Sequence, residues 1–163
     1  MRRESVGKEE LAMILTQKET ELLRDLKNQE KLCTEKYRKY AEAAHDPQLK
    51  NLFSEIAGVE SHHLQILEQI EKGPAPTPEQ KADPKPKTFN AHYSALNDEE
   101  KQSDAYLCSD LLATEKHVSS LYDTCIFEFV GEDLRRVLNA IQYDEQQHGK
   151  ALYDYMSANS MYA

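Results

Sequence analysis

Glu145-Gln146-Gln147-His148 repeats, 85 positions later, the spacing of Glu60-Ser61-His62-His63. Each of these Glu-x-x-His stretches also follows a further glutamate by 30 positions: Glu30 precedes the first stretch and Glu115 precedes the second. A Glu on one helix and Glu-x-x-His on the next, used twice, is the ligand set of a two-metal site inside a four-helix bundle. The repeat therefore predicts both a fold and a chemistry.

Flanking positions repeat at the same offset, which indicates two helix pairs of similar design. The matching residues are Lys31 and Lys116, Tyr37 and Tyr122, Leu49 and Leu134, Ile56 and Ile141, and Leu67 and Leu152. Apolar or ligand positions recur at steps of three and four residues over 23–44, 49–70, 108–129 and 134–155, as on the buried face of a helix. The predicted fold class is all-α, an antiparallel four-helix bundle.

Helix ends and the connection between the pairs are marked by local signals. Asp46-Pro47 predicts the start of the second helix, and residues 97–100 predict a capping box in which Glu100 reaches back at the start of the third. The stretch from Gly73 to residue 96 holds five prolines, which predict an extended crossover. We therefore predict one domain over 1–163, with helix pairs at 8–72 and 98–158 and a crossover at 73–97.

Helix geometry brings the candidate ligands to one level. Glu30 and Glu60 each lie about 21 Å from the turn between their helices at ~1.5 Å per residue, and the second pair repeats this arrangement. Each glutamate sits within an apolar stripe, where an unpaired carboxylate is costly to bury. The predicted metal ligands are Glu30, Glu60, His63, Glu115, Glu145 and His148. Carboxylates with imidazoles suit two iron or manganese ions, and zinc is an alternative.

Three neighbours of this set have two interpretations each. Asp144 either accepts a hydrogen bond from the free ring nitrogen of His63, which would fix the orientation of that ring, or is exposed. Tyr37 and Tyr122 lie seven residues after Glu30 and Glu115. Each is either a buried tyrosine with its hydroxyl group hydrogen-bonded or a radical or electron relay.

Composition narrows the class of protein. With 163 residues, 30% of them charged, and a net charge of −9, the chain suits one soluble helical domain and argues against nucleic acid or anionic membrane as a partner. No apolar run approaches ~18 residues, and no signal peptide is visible after Met1. Three cysteines without a Cys-x-x-Cys pair predict reduced thiols in a cytoplasmic compartment.

The two Glu and Glu-x-x-His sets resemble those of the ferritin-like superfamily, which includes ferritins, rubrerythrins and manganese catalases. The resemblance implies a ferritin-like bundle in which the six residues above hold two metal ions. Rubrerythrins carry a further carboxylate one turn after the third-helix Glu, where this chain has Val118, and often a rubredoxin domain, whose cysteines are missing. These departures argue against the rubrerythrin route of peroxide reduction.

The second half also resembles the spore coat protein F family over roughly 105–163. Residues 110–116 (DLLATEK), Glu128, Leu134-Arg135 and the ending at 152–162 carry that resemblance. It implies a spore-forming source and a place in the spore coat.

Two functions stay open, together with an empty scaffold whose buried carboxylates would have raised pKa values. One is an oxidoreductase of catalase, peroxidase or oxidase type that reacts with dioxygen or hydrogen peroxide. The alternative is a structural spore coat protein whose metals only stabilise the bundle. Whether the chain is an enzyme, and whether it forms a homodimer or a coat assembly, the sequence leaves open.

Overall fold

The computed structural model describes residues 15–78, 81–94 and 98–162. These residues form four helices and no strand: α1 (Gln17–Ala43), α2 (Pro47–Lys72), α3 (Glu99–Glu128) and α4 (Glu132–Ala158). The predicted all-α class is thereby confirmed. Residues 8–14 of the predicted first helix pair, and 79–80 and 95–97 of the predicted crossover, lie outside the described residues.

Two helix starts follow from local hydrogen bonding. The side chain of Asp46 accepts from the backbone N–H of Gln48 at 2.9 Å, and Pro47 opens α2, as the sequence predicts. At α1, Thr16 and Glu19 form a capping box, with side-chain-to-backbone bonds of 3.1 and 3.0 Å. This second helix start was not predicted from the sequence.

The start of α3 differs from its prediction by one residue. Asp98 is the cap, and its side chain accepts from the backbone N–H of Lys101 at 2.6 Å. The third helical position after this cap is therefore Lys101, which carries no acceptor for a capping box with Asp98. The other half of the predicted box, Asn97, lies outside the described residues. Because Asn97 and Asp98 are both good caps, the sequence alone gave no reason to prefer the second.

The four helices pack as a bundle around two hydrophobic clusters. α1 contacts α2 and α3, and α4 contacts α3 and α2. The lower cluster includes Tyr37, Phe53, Leu111 and Tyr155, and the upper cluster includes Leu26, Leu67, Tyr122 and Leu138. Every helix contributes to both clusters. Along α2, α3 and α4 the predicted metal ligands fall between the two clusters, whereas on α1 Glu30 lies between Leu26 and Cys33 of the upper cluster.

The segment between α2 and α3 has no helix or strand in its described residues, 73–78 and 81–94. It begins at Gly73, whose φ of 63° suits a residue without a side chain. Further along, the ring of Phe89 packs edge-on against Tyr155 at 5.5 Å. The backbone N–H groups of His92 and Tyr93 donate to the side chain of Asn159 at 2.8 and 3.1 Å. The segment is thus attached to α4.

None of the described helices is long and apolar enough to cross a membrane. The three cysteines are buried and form no disulfide.

Candidate metal centre

The structure brings the six predicted ligands together between the two clusters. All six are buried, from fully for Glu30, Glu60 and His63 to 7% exposed for His148. They come from all four helices, because each glutamate falls on the inner stripe of its helix and each histidine follows one turn later on the same stripe.

The six residues form two overlapping groups. One group contains Glu30, Glu60, His63 and Glu145, and the other contains Glu60, Glu115, Glu145 and His148. Within each group, one nitrogen or oxygen atom per residue lies within 4.8 Å of all the others. Glu60 and Glu145 belong to both groups, which is the position a bridging carboxylate takes between two ions.

Both histidines turn the same ring nitrogen toward the carboxylates. The Nδ1 atom of His148 lies 2.9 Å from Glu60 Oε1 and 3.3 Å from Glu115 Oε1. The Nδ1 atom of His63 lies 3.3 Å from Glu145 Oε1 and 3.4 Å from Glu60 Oε2. The two rings stack with their centroids 6.2 Å apart. Each Nδ1 atom is therefore the candidate nitrogen ligand.

Unpaired oxygen atoms show that the group fits a cation. Oε2 of Glu30, Oε2 of Glu115 and both carboxylate oxygens of Glu145 are buried without a hydrogen-bond partner among the described residues. Buried polar atoms are normally paired, and a carboxylate is the costliest to leave alone. A set of oxygen and imidazole donors suits iron, manganese or zinc.

Crowding of the carboxylates also shifts their pKa values. Burial, followed by the neighbouring Glu60, raises the pKa of Glu30 to about 8. Burial and Glu115 raise the pKa of Glu145 well above its ordinary value. Burial also acts to raise the pKa of Glu60, but hydrogen bonds from Glu30 and the histidines hold it well below its usual range. Without a cation, the group therefore retains protons near neutral pH.

Two opposing effects determine the pKa of each histidine, and the nearby carboxylates outweigh burial in both. Burial lowers the pKa of His63, but its hydrogen bond with Asp144 and its close contacts with Glu145 and the other nearby carboxylates raise that pKa well above its ordinary value. The same balance raises the pKa of His148, through Glu115, Glu145 and Glu60.

Asp144 contacts His63, the candidate histidine ligand of the other helix pair. Its Oδ2 atom lies 2.9 Å from Nε2 of His63 and accepts a hydrogen bond from Lys81 at 3.0 Å. In a neutral His63, a proton held on Nε2 by Asp144 would leave the lone pair of Nδ1 free to bind a metal ion among the carboxylates. Burial acts to raise the pKa of Asp144, but His63 and Lys81 lower it, so the residue is a carboxylate. Val59 stands at the matching position of α2 and has no carboxylate.

Lys81 was missed by sequence reasoning. It lies in the non-helical segment between α2 and α3, where no periodicity indicates which way a side chain points.

Replacing Asp144 with alanine is expected to weaken metal binding about 10- to 100-fold, because the ring of His63 loses the partner that orients it. Titration with a divalent cation against a competing chelator would measure this. Asp154→Ala, on the same helix but bonded to the surface residue Lys150, serves as the control and should bind like the parent. Unchanged affinity in Asp144→Ala would remove the proposed role of Asp144.

Tyr37 and Tyr122 reach across the bundle to the opposite helix pair. The hydroxyl of Tyr37 donates to Glu115 Oε1 at 2.6 Å, and that of Tyr122 donates to Glu30 Oε1 at 2.5 Å. Burial and the contacted carboxylates raise both tyrosine pKa values, so the hydroxyls remain protonated donors. The buried, hydrogen-bonded tyrosine is therefore the interpretation seen in the structure, and an electron relay stays a prediction.

Comparison with known proteins gives a match that covers the second helix pair. Residues 103–163 match the Coat F domain family. This confirms the predicted similarity to the spore coat protein F family over the second helix pair. No curated protein and no solved structure matches the chain.

The Coat F segment supplies half of the candidate centre. Glu115, Glu145 and His148 lie within residues 103–163, whereas Glu30, Glu60 and His63 lie outside them. The centre is therefore assembled only when the Coat F segment packs against α1 and α2.

Proposed function

We propose that this protein is a structural spore coat protein whose helical bundle is stabilised by two metal ions. The Coat F match supports the place in the coat. The observation that carries the metal assignment is the sharing of Glu60 and Glu145 between two groups of buried ligand atoms. Iron or manganese suits these donors, and zinc does as well.

In this proposal the bundle has the ferritin-like antiparallel arrangement. Support comes from the order of the clusters along the chain. α1 and α4 run from the upper cluster to the lower one, whereas α2 and α3 run from the lower to the upper. Partners within each pair would then be antiparallel, and the Pro-rich segment after α2 would cross the length of the bundle to begin α3.

Metal binding would stabilise the bundle because the ligands come from every helix. Two divalent cations balance four carboxylates and two neutral imidazoles in charge. An ion that binds only the folded chain adds its binding free energy to the free energy of unfolding, about 2.7 kcal/mol per site at a hundred times the dissociation constant. The ions would therefore hold the Coat F segment against the first helix pair.

Coat assembly would use the exposed surface of the bundle. Phe127 is 84% exposed and Val130 is 76% exposed, both near the turn between α3 and α4. Large apolar side chains at such exposure are available for contacts with a second copy or another coat protein.

A second candidate is an oxidoreductase that reacts with hydrogen peroxide or dioxygen. A cavity of about 530 Å³ favours it, since this cavity is lined by Glu115 and Glu145. A closed site suits a purely structural metal, whereas a reactive centre needs access for a substrate. When bound, a pair of redox-active metals would supply the electrons for such chemistry.

Metal analysis of the purified protein, with thermal unfolding before and after chelation, tests the proposal. About two ions per chain are expected, and their removal should lower the melting temperature by about 10 °C or more. Recovery of the protein in spore coat extracts is also expected. Absence of metal with a well-folded chain, or recovery outside the coat, would contradict the proposal. Evolution of oxygen from peroxide by the loaded protein would favour the second candidate.

A further inference from the structure

The candidate centre is sealed on one side and accessible on the other. On the α1–α2 side, the side chains of Glu30, Glu60 and His63 are at most 1% exposed. On the α3–α4 side, the side chain of Glu145 is also covered, but that of His148 is 9% exposed and that of Glu115 is 4% exposed. Solvent therefore approaches the ligands from the second helix pair.

A cavity between α3 and α4 accounts for this difference. Its volume is about 530 Å³, room for roughly 18 water molecules at ~30 Å³ each. Glu115 and Glu145 line it together with the polar side chains of Ser119 and Gln142 and the backbone of Gly149. A hydrophilic solute can thus exchange water for polar groups on its way to two of the ligands.

Residues at the matching positions of the first helix pair are bulkier or less polar. Leu64 corresponds to Gly149, and the buried Ala57 corresponds to Gln142. The two halves of the internal repeat therefore share the same three ligand types but differ at the positions that line the cavity in the second half.

Gly149 has no backbone reason to be glycine. It lies inside α4, its φ is not positive, and a Cβ atom there would lie 3.6 Å from Cδ1 of Leu112, an ordinary contact. Glycine inside a helix is about 1 kcal/mol less favourable than alanine. What the glycine provides is open space beside the ligands.

We propose that this cavity is the route by which divalent cations reach and leave the candidate centre, and that Gly149 keeps it open. The inference rests on the proposed metal site, which it deepens by assigning the side of access. A larger side chain at position 149 would extend toward Leu112 and narrow the passage above Glu115 and Glu145.

Release of cobalt(II) to a chelator tests the route. Gly149→Leu is compared with Gly58→Leu, a matched substitution inside α2 where a Cβ atom meets nothing within 4 Å. Both variants should hold the same number of cobalt ions as the parent. Release, followed by loss of the visible absorption of bound cobalt, should slow at least tenfold in Gly149→Leu and change less than twofold in Gly58→Leu.

The number of bound cobalt ions tests the metal site, and the rate of their release tests the route. If the parent binds no cobalt, the proposed metal site is wrong and the route with it. If the variants bind fully but Gly149→Leu releases cobalt as fast as the parent, or Gly58→Leu slows equally, only the route is overturned. Should Gly149→Leu lose occupancy through misfit, Gly149→Ala, whose Cβ atom has room, must still slow release severalfold.

Discussion

Replacing Glu60 and Glu145 together with alanine is expected to abolish binding of both metal ions. These two residues belong to both ligand groups, so their loss leaves each group with one glutamate and one histidine. Two donors do not form a closed site for iron, manganese or zinc. We expect metal content to fall from about two ions per chain to less than a tenth of an ion, measured by mass spectrometry on the purified protein.

Two comparisons make this result specific. Glu68→Ala with Glu132→Ala removes one exposed glutamate from each of the same two helices and should leave metal content unchanged. In chelator, the Glu60→Ala/Glu145→Ala variant should remain folded, because removal of the two buried, unpartnered oxygens of Glu145 offsets the loss of the contacts between Glu60 and the two histidines. Retention of two ions by this variant would refute the ligand assignment, whatever the fate of the coat proposal.

The parts that followed from sequence are those set by helix periodicity. Glu30 and Glu60 meet because they lie at equal distances from one short turn, and a rise of ~1.5 Å per residue fixes their level. The same regularity brings Glu115 level with Glu145. The contact between Asp144 and His63 was also among the sequence predictions, since one step along α4 from Glu145 turns the side chain of Asp144 toward the neighbouring helix.

Features that depend on packing between the two helix pairs could not be predicted from the sequence. The seven-residue spacing placed Tyr37 two turns from Glu30, but its hydroxyl reaches Glu115 on another helix. That contact depends on the separation of α1 and α3, which no local pattern encodes. The contact of Lys81 with Asp144 depends on where a non-helical segment lies in the fold, which no periodicity predicts. The cavity beside Gly149 arises from differences between the two halves of the repeat.

Removal of the metal is expected to reverse the pH dependence of stability. In the metal-free protein, the pKa of Glu30 is raised from 4.5 to about 8, so the folded chain binds more protons than the unfolded chain between these values. Stability from such a group is fully present below pH 4.5 and is lost as the pH rises through about 8. Glu145 and both histidines, whose pKa values are also raised, act in the same direction.

Glu60 acts in the opposite direction, because its pKa is lowered and its contribution is lost on acidification. Asp144, whose pKa is also lowered, acts in the same way, and both groups lose their contributions below their ordinary pKa values rather than between pH 5 and pH 8. The four groups with raised pKa values therefore leave a net fall in the free energy of unfolding, of about a few kcal/mol, over that range. With metal present, protons compete with the ions for the same atoms, so stability should rise over this range. Urea unfolding at several pH values, with metal and with chelator, would show the two profiles diverging as the pH increases. Parallel profiles would mean that the ions bind elsewhere, since only cations that displace the protons of this carboxylate group can reverse the slope.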